Sequence, residues 1–166
     1  LKGRWDETDA FKQGLLAEQC EGRQEGAHQS AAKWKVVLIH KDVLQYRNHK
    51  HPERQEGISA VGEALMPLFD QLGIDIVFTS HLHTYRNRGH LYNNRPSEKR
   101  GPLYLLTGVA GNVRYPGLWI DHAYDRVTAP QPETDNYLTM AVTSDQLSIT
   151  CYLPDGTVID HVQVNK

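Results

Sequence analysis

His81 and His83 stand one residue apart, directly after the apolar run Ile74-Asp75-Ile76-Val77-Phe78-Thr79-Ser80. Neutral imidazole suits Zn, Fe and Mn, so two imidazoles at one point can bind one metal ion or two neighbouring ones. Taken alone, a His-x-His is as well explained by ordinary polar loop residues. A second apolar run, Lys35-Val36-Val37-Leu38-Ile39, also stops at a histidine, His40. Two apolar runs that each terminate in histidine favour the metal reading over chance. Two more histidines, His49 and His51, lie in a polar stretch ahead of Glu56-Gly57.

The runs themselves predict the elements that would carry these side chains. Short β-branched apolar segments predict strands. The one that ends at His40 is continuously apolar, which predicts cover on both faces. Residues 41–57 are polar and read as irregular. A helix is predicted over 58–72, where Ile58, Val61, Leu65, Leu68 and Leu72 recur at helical spacing and Gly73 closes the turn. Pro67 lies inside that pattern and predicts a kink or a break. Strand, helix and strand in this order make a β-α-β unit with a right-handed crossover. Parallel neighbours end at the same sheet edge, where sites of α/β folds gather. That edge would bring His40 to His81 and His83.

The flanking sequence is less specific. Residues 8–21 predict a helix with Phe11, Leu15 and Leu16 on one face, followed by a loop to about residue 32. Strands are predicted over 88–92 and 103–107, around a polar hairpin loop over 93–101. Gly108-Val109-Ala110-Gly111 reads as a tight turn. Residues 112–136 form a long irregular stretch with Tyr115, Trp119, His122 and Tyr124, of the kind that can wall a pocket. The last three strands, over 137–142, 147–153 and 157–164, alternate in the strand period and predict an antiparallel meander. Asp160 and His161 fall in its last strand and read as surface residues.

Val37-Leu38-Ile39-His40, followed downstream by Ser80-His81-Leu82-His83-Thr84-Tyr85-Arg86, resembles the last two metal-binding motifs of the calcineurin-like metallophosphoesterases, in the flavour of the purple acid phosphatases. The resemblance implies an α/β fold: the C-terminal half of an α/β/β/α sandwich, with a mixed sheet, a β-α-β unit and a C-terminal antiparallel meander. It runs over nearly the whole chain, taken here as a single domain over 1–166. The family's earlier motifs (Asp-x-His, Gly-Asp and Gly-Asn-His) are not found. With a chain that starts at Leu1, this leads us to expect a C-terminal fragment whose partner is the missing N-terminal half.

By the same resemblance, the intact parent hydrolyses phosphate mono- or diesters. It holds two divalent or trivalent metal ions (Fe, Zn or Mn) bridged by a carboxylate and a hydroxide. His40 and His81 would ligate one ion and His83 the other, while His51 would bind or protonate the phosphate ester, with His49 close behind. His51 is otherwise a solvated loop histidine. Ser80 stands where the family usually has Gly, and Lys41-Asp42-Val43 where it usually has an early proline. Three histidines divided between two ions leave each undercoordinated, since a catalytic zinc keeps about three protein ligands. We therefore expect at most partial metal binding and little or no hydrolysis from this chain alone. The rival expectation is a stand-alone binding or regulatory domain that kept the fold and lost the reaction.

Composition bounds the remainder. With 166 residues, 23% charged and 39% hydrophobic, the chain is the size of one domain and can bury a core. A formal net charge of -2 argues against general nucleic-acid binding. No apolar run reaches membrane-spanning length. Cys20 and Cys151 match no zinc or redox spacing and are either paired or free. Half a sandwich would expose apolar sheet, so a homodimer of the fragment is a further expectation.

Overall fold

The computed structural model of the chain describes residues 30–111 and 113–166. The helix expected over 8–21 and the thiol of Cys20 lie outside the described residues. The chain divides into two compact units, Leu1–Lys33 and Trp34–Lys166.

The second unit is mixed α/β. Its larger sheet runs in the order β1-β4-β7-β5-β6, with β8 attached to β5. These strands are β1 (Val36–Leu38), β4 (Ile76–Thr79), β5 (Arg86–Tyr92), β6 (Arg95–Ser97), β7 (Leu103–Leu106) and β8 (Val127–Thr128). β1, β4 and β7 are parallel, while β5 runs antiparallel to β7, β6 and β8. A second sheet is the expected meander, β9 (Tyr137–Val142), β10 (Gln146–Tyr152) and β11 (Val158–Asn165), with β10 in the middle. β2 (Leu44–Gln45) and β3 (Gly57–Ile58) form a small ribbon of their own.

Strand periodicity explains how the two sheets face each other. Ile76, Leu103 and Leu105 from the large sheet meet Leu147, Ile149 and Val164 from the meander in one apolar cluster, with Val36 and Phe78 packed against it. On β10 the inward positions Leu147, Ile149 and Cys151 are buried, while the alternate positions are only half-buried. Burial pushes the free Cys151 thiol up to about 12, helped by the charges of Asp160 and Glu133.

The helix α1 (Ala60–Leu72) is the crossover into β4. Ser59 caps it, its hydroxyl accepting from the Gly62 N–H, and Gly73 ends it in the left-handed conformation with φ 61°. Its buried positions are Gly62, Leu65, Met66, Phe69 and Leu72, so the inward face is rotated from the one the sequence suggested. Val61 and Leu68 are only half-buried. Pro67 does not break the helix, which continues to Leu72, and it sits on the exposed side.

Several other expectations are corrected. β1 is an edge strand, paired only with β4 among the described residues, and Leu38 on it is 75% exposed. Its apolar run therefore does not mean cover on both faces. Residues 41–57 are irregular apart from the short β2 and the start of β3, but they are not simply a solvated stretch: Asp42, Val43, Leu44, Tyr46 and Asn48 are all buried. The hairpin loop over 93–101 contains β6, joined to β5 by a two-residue turn in which Asn93 and Asn94 both have positive φ (50° and 59°). Asparagine tolerates that conformation well, which makes the pair a hairpin signal. Asp160 is not a free surface residue. Its carboxylate accepts from the Tyr85 hydroxyl and the Asn87 amide, each at 2.7 Å, and so ties β11 to β5.

Candidate metal centre

The parallel strands β1 and β4 end at the same edge, and the ladder continues beyond them. Ile39 N–H donates to Phe78 O at 3.0 Å, and Ser80 N–H donates to His40 O at 3.2 Å. This places His40 beside the turn that carries His81. The two rings are edge to face, with His40 Nε2 3.1 Å from His81 Nδ1.

The turn itself is strained in a way the sequence did not reveal. His81 and His83 both have positive φ, 77° and 52°. Leu82 N–H bonds back to Ser80 O at 3.0 Å, so His81 is the centre of a γ-turn. Non-glycine residues in the left-handed region cost roughly 1–3 kcal/mol each and persist only where the surroundings enforce them. Here the surroundings are specific. Ser80 Oγ donates to Thr107 O at 3.0 Å, and Trp119 Nε1–H donates to Leu82 O at 2.8 Å. Buried Glu133 accepts from Thr84 Oγ1–H and from the Tyr85 N–H, both at 2.7 Å.

The tautomers follow from the partners. Lys41 Nζ lies 3.0 Å from His81 Nε2, and an ammonium can only donate. His81 Nε2 is thus an acceptor, and its Nδ1–H is left to donate to His40 Nε2. Partial burial, and after it the neighbouring Lys41, His40 and His83, hold His81 below the usual histidine pKa against the opposing pull of Asp42. His83 Nδ1 is 2.9 Å from Val113 O, so it carries the proton and leaves Nε2 as a lone pair. A histidine that donates its other N–H to a backbone carbonyl is arranged as metal-ligating histidines usually are. The Tyr115 ring lies 5.4 Å from that of His83.

The histidine pair fits a metal ion in one respect. Two nitrogens bound to one tetrahedral zinc at about 2.0–2.1 Å would stand roughly 3.3 Å apart. The observed 3.1 Å between His40 Nε2 and His81 Nδ1 is close to that. Among the described residues no group of three or more His, Cys, Asp or Glu side chains is gathered to hold an ion. His83 makes its own bond to Val113 and, among the described residues, no hydrogen bond to the pair.

The other expected site residue stands elsewhere. His51 is exposed, and its Nδ1 lies 3.2 Å from Glu53 Oε1. His49 is fixed through its backbone, whose N–H donates to Leu118 O at 3.0 Å. Among the described residues neither ring touches the histidine pair. Sequence reasoning missed the roles of Lys41 and Glu133; Trp119 it named only as a large aromatic in a long polar stretch, without its bond to the histidine turn.

No family model matches the chain. Purple acid phosphatase 18 of Arabidopsis thaliana is 35% identical over 79 residues, which is 48% of this chain and 17% of that protein. Purple acid phosphatase 22 of the same plant is 33% identical over a stretch of the same length. A purple acid phosphatase isolated from yellow lupin (Lupinus luteus) seeds superposes with a TM-score of 0.69 over 89% of this chain. The chain is purple acid phosphatase-like. At 17% identity the lupin structure speaks for the fold alone, and its match takes in 28% of that chain. The purple acid phosphatase-like chain thus spans a small part of the relatives it matches. Among its described residues no helix is long and apolar enough to cross a membrane.

Proposed function

We propose that this chain is the histidine-bearing part of a binuclear, metal-dependent phosphoesterase that hydrolyses phosphate mono- or diesters. The observation that carries the reading is the 3.1 Å approach of His40 Nε2 and His81 Nδ1 at the ends of parallel strands. His40 and His81 would hold one ion and His83, through Nε2, would contribute to the second. Iron, zinc and manganese all suit imidazole. When bound, such ions supply positive charge for the phosphate oxygens and lower the pKa of water. The protein's own contribution is positional: the hydrogen bonds around residues 80–85 hold the imidazoles in strained but fixed orientations. His51, exposed and backed by Glu53, would bind or protonate the ester.

We expect the chain by itself to bind metal partially and to hydrolyse esters at background rate, because the described residues supply no third ligand to the pair. The remaining ligands would have to come from outside the described residues. The test is a zinc titration followed by calorimetry, with p-nitrophenyl phosphate turnover measured on the same samples. Zinc binding that is lost in His40→Ala and His81→Ala supports the assignment. Binding that survives both substitutions sinks it, and rapid zinc-dependent turnover by the chain alone sinks the claim of inactivity.

The alternative reading is a stand-alone non-catalytic binding or regulatory domain that retains the fold. Asp-x-His and Gly-Asn-His encoded upstream of Leu1 would decide for the enzyme. Self-association is a further part of the proposal. Met140 and Val142 lie on the core-facing side of β9, in register with Ile149 and Leu147, yet are 46% and 55% exposed. A second copy that adds a strand to this edge would cover them. A monomer by light scattering at high concentration would refute the dimer.

A further inference from the structure

We propose that Arg88 is the positioning residue of the histidine pair, acting through Asp42 and Thr79 to hold the ends of β1 and β4 where His40 and His81 meet. The inference deepens the metal reading above and rests on it.

Arg88 is 0% exposed, and every one of its donor nitrogens is engaged. Nη2–H donates to Asp42 Oδ2 at 2.6 Å, and Nη1–H donates to Thr79 Oγ1 at 3.2 Å. Nε–H and Nη2–H also reach the Tyr46 hydroxyl, at 3.2 and 3.0 Å. The two main partners bond to each other, Thr79 Oγ1–H donating to Asp42 Oδ1 at 2.8 Å. Asp42 follows His40 by two residues and Thr79 precedes His81 by two. The guanidinium therefore grips the last residue of β4 and the chain just past β1, two residues from each imidazole in sequence.

The backbone is built to aim this side chain. β5 and β7 pair Asn87 with Leu105 and His90 with Leu103, so β5 carries one extra residue between them. That is a β-bulge, and Arg88 and Gly89 are the residues inside it. Gly89 has φ 66°, and a Cβ there would meet the Arg126 side chain at 2.4 Å. Bulges beside functional sites commonly re-aim a side chain. In the sheet order β7 and β4 both lie between β5 and β1, so the side chain has to reach past β7. Arginine supplies both the length and a rigid fork of donors.

Stability alone does not account for such an arrangement. Arg88 and Arg86 are neutralised by Asp42 and Asp125, all four nearly or wholly buried. Buried ion pairs contribute little compared with apolar side chains of the same volume, and their best-attested use is to fix register. Directional bonds to two strand ends do what an apolar plug cannot.

The test uses the whole chain with 15N-labelled histidine. Thr79→Val removes the hydroxyl that Arg88 and Asp42 share, Arg88→Lys removes the fork, and Thr79→Ser is the conservative rescue. Ring 1H–15N spectra and zinc calorimetry are read on variants whose folding is checked by circular dichroism. We expect the His40 and His81 ring signals to move in Thr79→Val and Arg88→Lys, while those of His90 and His161 stay in place. Zinc should bind about 10- to 100-fold more weakly, as is usual when an outer partner of a ligand is lost. Thr79→Ser should recover both readouts. If Arg88→Lys fails to fold, Thr79→Val carries the test alone. Folded variants with wild-type ring signals and wild-type zinc affinity overturn the proposal. A wild-type chain that ignores zinc, while Thr79→Val still moves the two rings, overturns the metal reading and leaves the positioning role standing.

Discussion

Gly62→Ala separates what local propensity says from what packing says. Gly62 lies in the first turns of α1, and in an exposed helix the exchange to alanine would stabilise by about 1 kcal/mol. Here a Cβ would stand 2.1 Å from the Val43 carbonyl oxygen and 2.6 Å from Ile58 Cγ2, where ordinary contacts begin at 3.4 Å. The first of these atoms is backbone, and it already accepts the Ser59 N–H at 2.9 Å. The helix start therefore cannot yield without loosening its own cap, in which Ser59 Oγ also donates to Asp42 O at 2.7 Å. Overpacking of this kind costs about 1–3 kcal/mol, and the clash against backbone puts it at the upper end. Subtracting the propensity gain leaves a net loss of about 1–2 kcal/mol. With a urea m-value of about 2 kcal/mol/M, the unfolding midpoint should fall by roughly 0.5–1 M. Val43 is three residues after His40, so the histidine ring signals should shift as well. A midpoint equal to or above that of the wild type would refute the packing argument.

Three further outcomes follow from named contacts. Lys41→Met should tighten zinc binding several-fold by calorimetry, because a metal on His81 Nδ1 moves the proton to Nε2, where the ammonium now donates; unchanged affinity would count against that tautomer assignment. Asp70 has one carboxylate oxygen buried without a hydrogen-bond partner, and burial raises its pKa against the opposing pull of the Asn93 N–H and Arg100. A carboxyl whose folded pKa is raised contributes stability at low pH that is lost as pH rises through that value. Asp70→Asn should therefore raise the urea midpoint at pH 7 and make little difference at pH 3. Tyr85→Phe removes the hydroxyl that donates to Asp160 and should cost about 1.5–3 kcal/mol, read by the same urea curves.

Much of the scaffold was legible because it is encoded locally. The apolar runs before His40 and His81, the helix closed by Gly73 and the alternating C-terminal strands all declare themselves within a dozen residues. From them follow the shared sheet edge and the meeting of His40 with His81, which the structure has at 3.1 Å. The bond from His83 to Val113 was not foreseen, because that partner lies 30 residues away. The inward face of α1 was misjudged because Val61 and Leu68 were counted in place of Met66 and Phe69, which share the buried face with Leu65 and Leu72, and because Gly62 is buried by virtue of lacking a side chain.

The sequence by itself determined the longer elements, their order and the residue types at the candidate centre, since those rest on short-range periodicity and turn chemistry; the short strands β2, β3, β6 and β8 did not declare themselves. Tertiary structure alone decided the rest. It put His81 and His83 in the left-handed region, because Thr107, Trp119 and Glu133 hold the turn from distant parts of the chain. It turned Arg88 from one charge in a polar run into a buried clamp, because its partner Asp42 is 46 residues away and only the folded sheet brings the two together. Burial makes such polar contacts obligatory, and burial is a property of the whole fold.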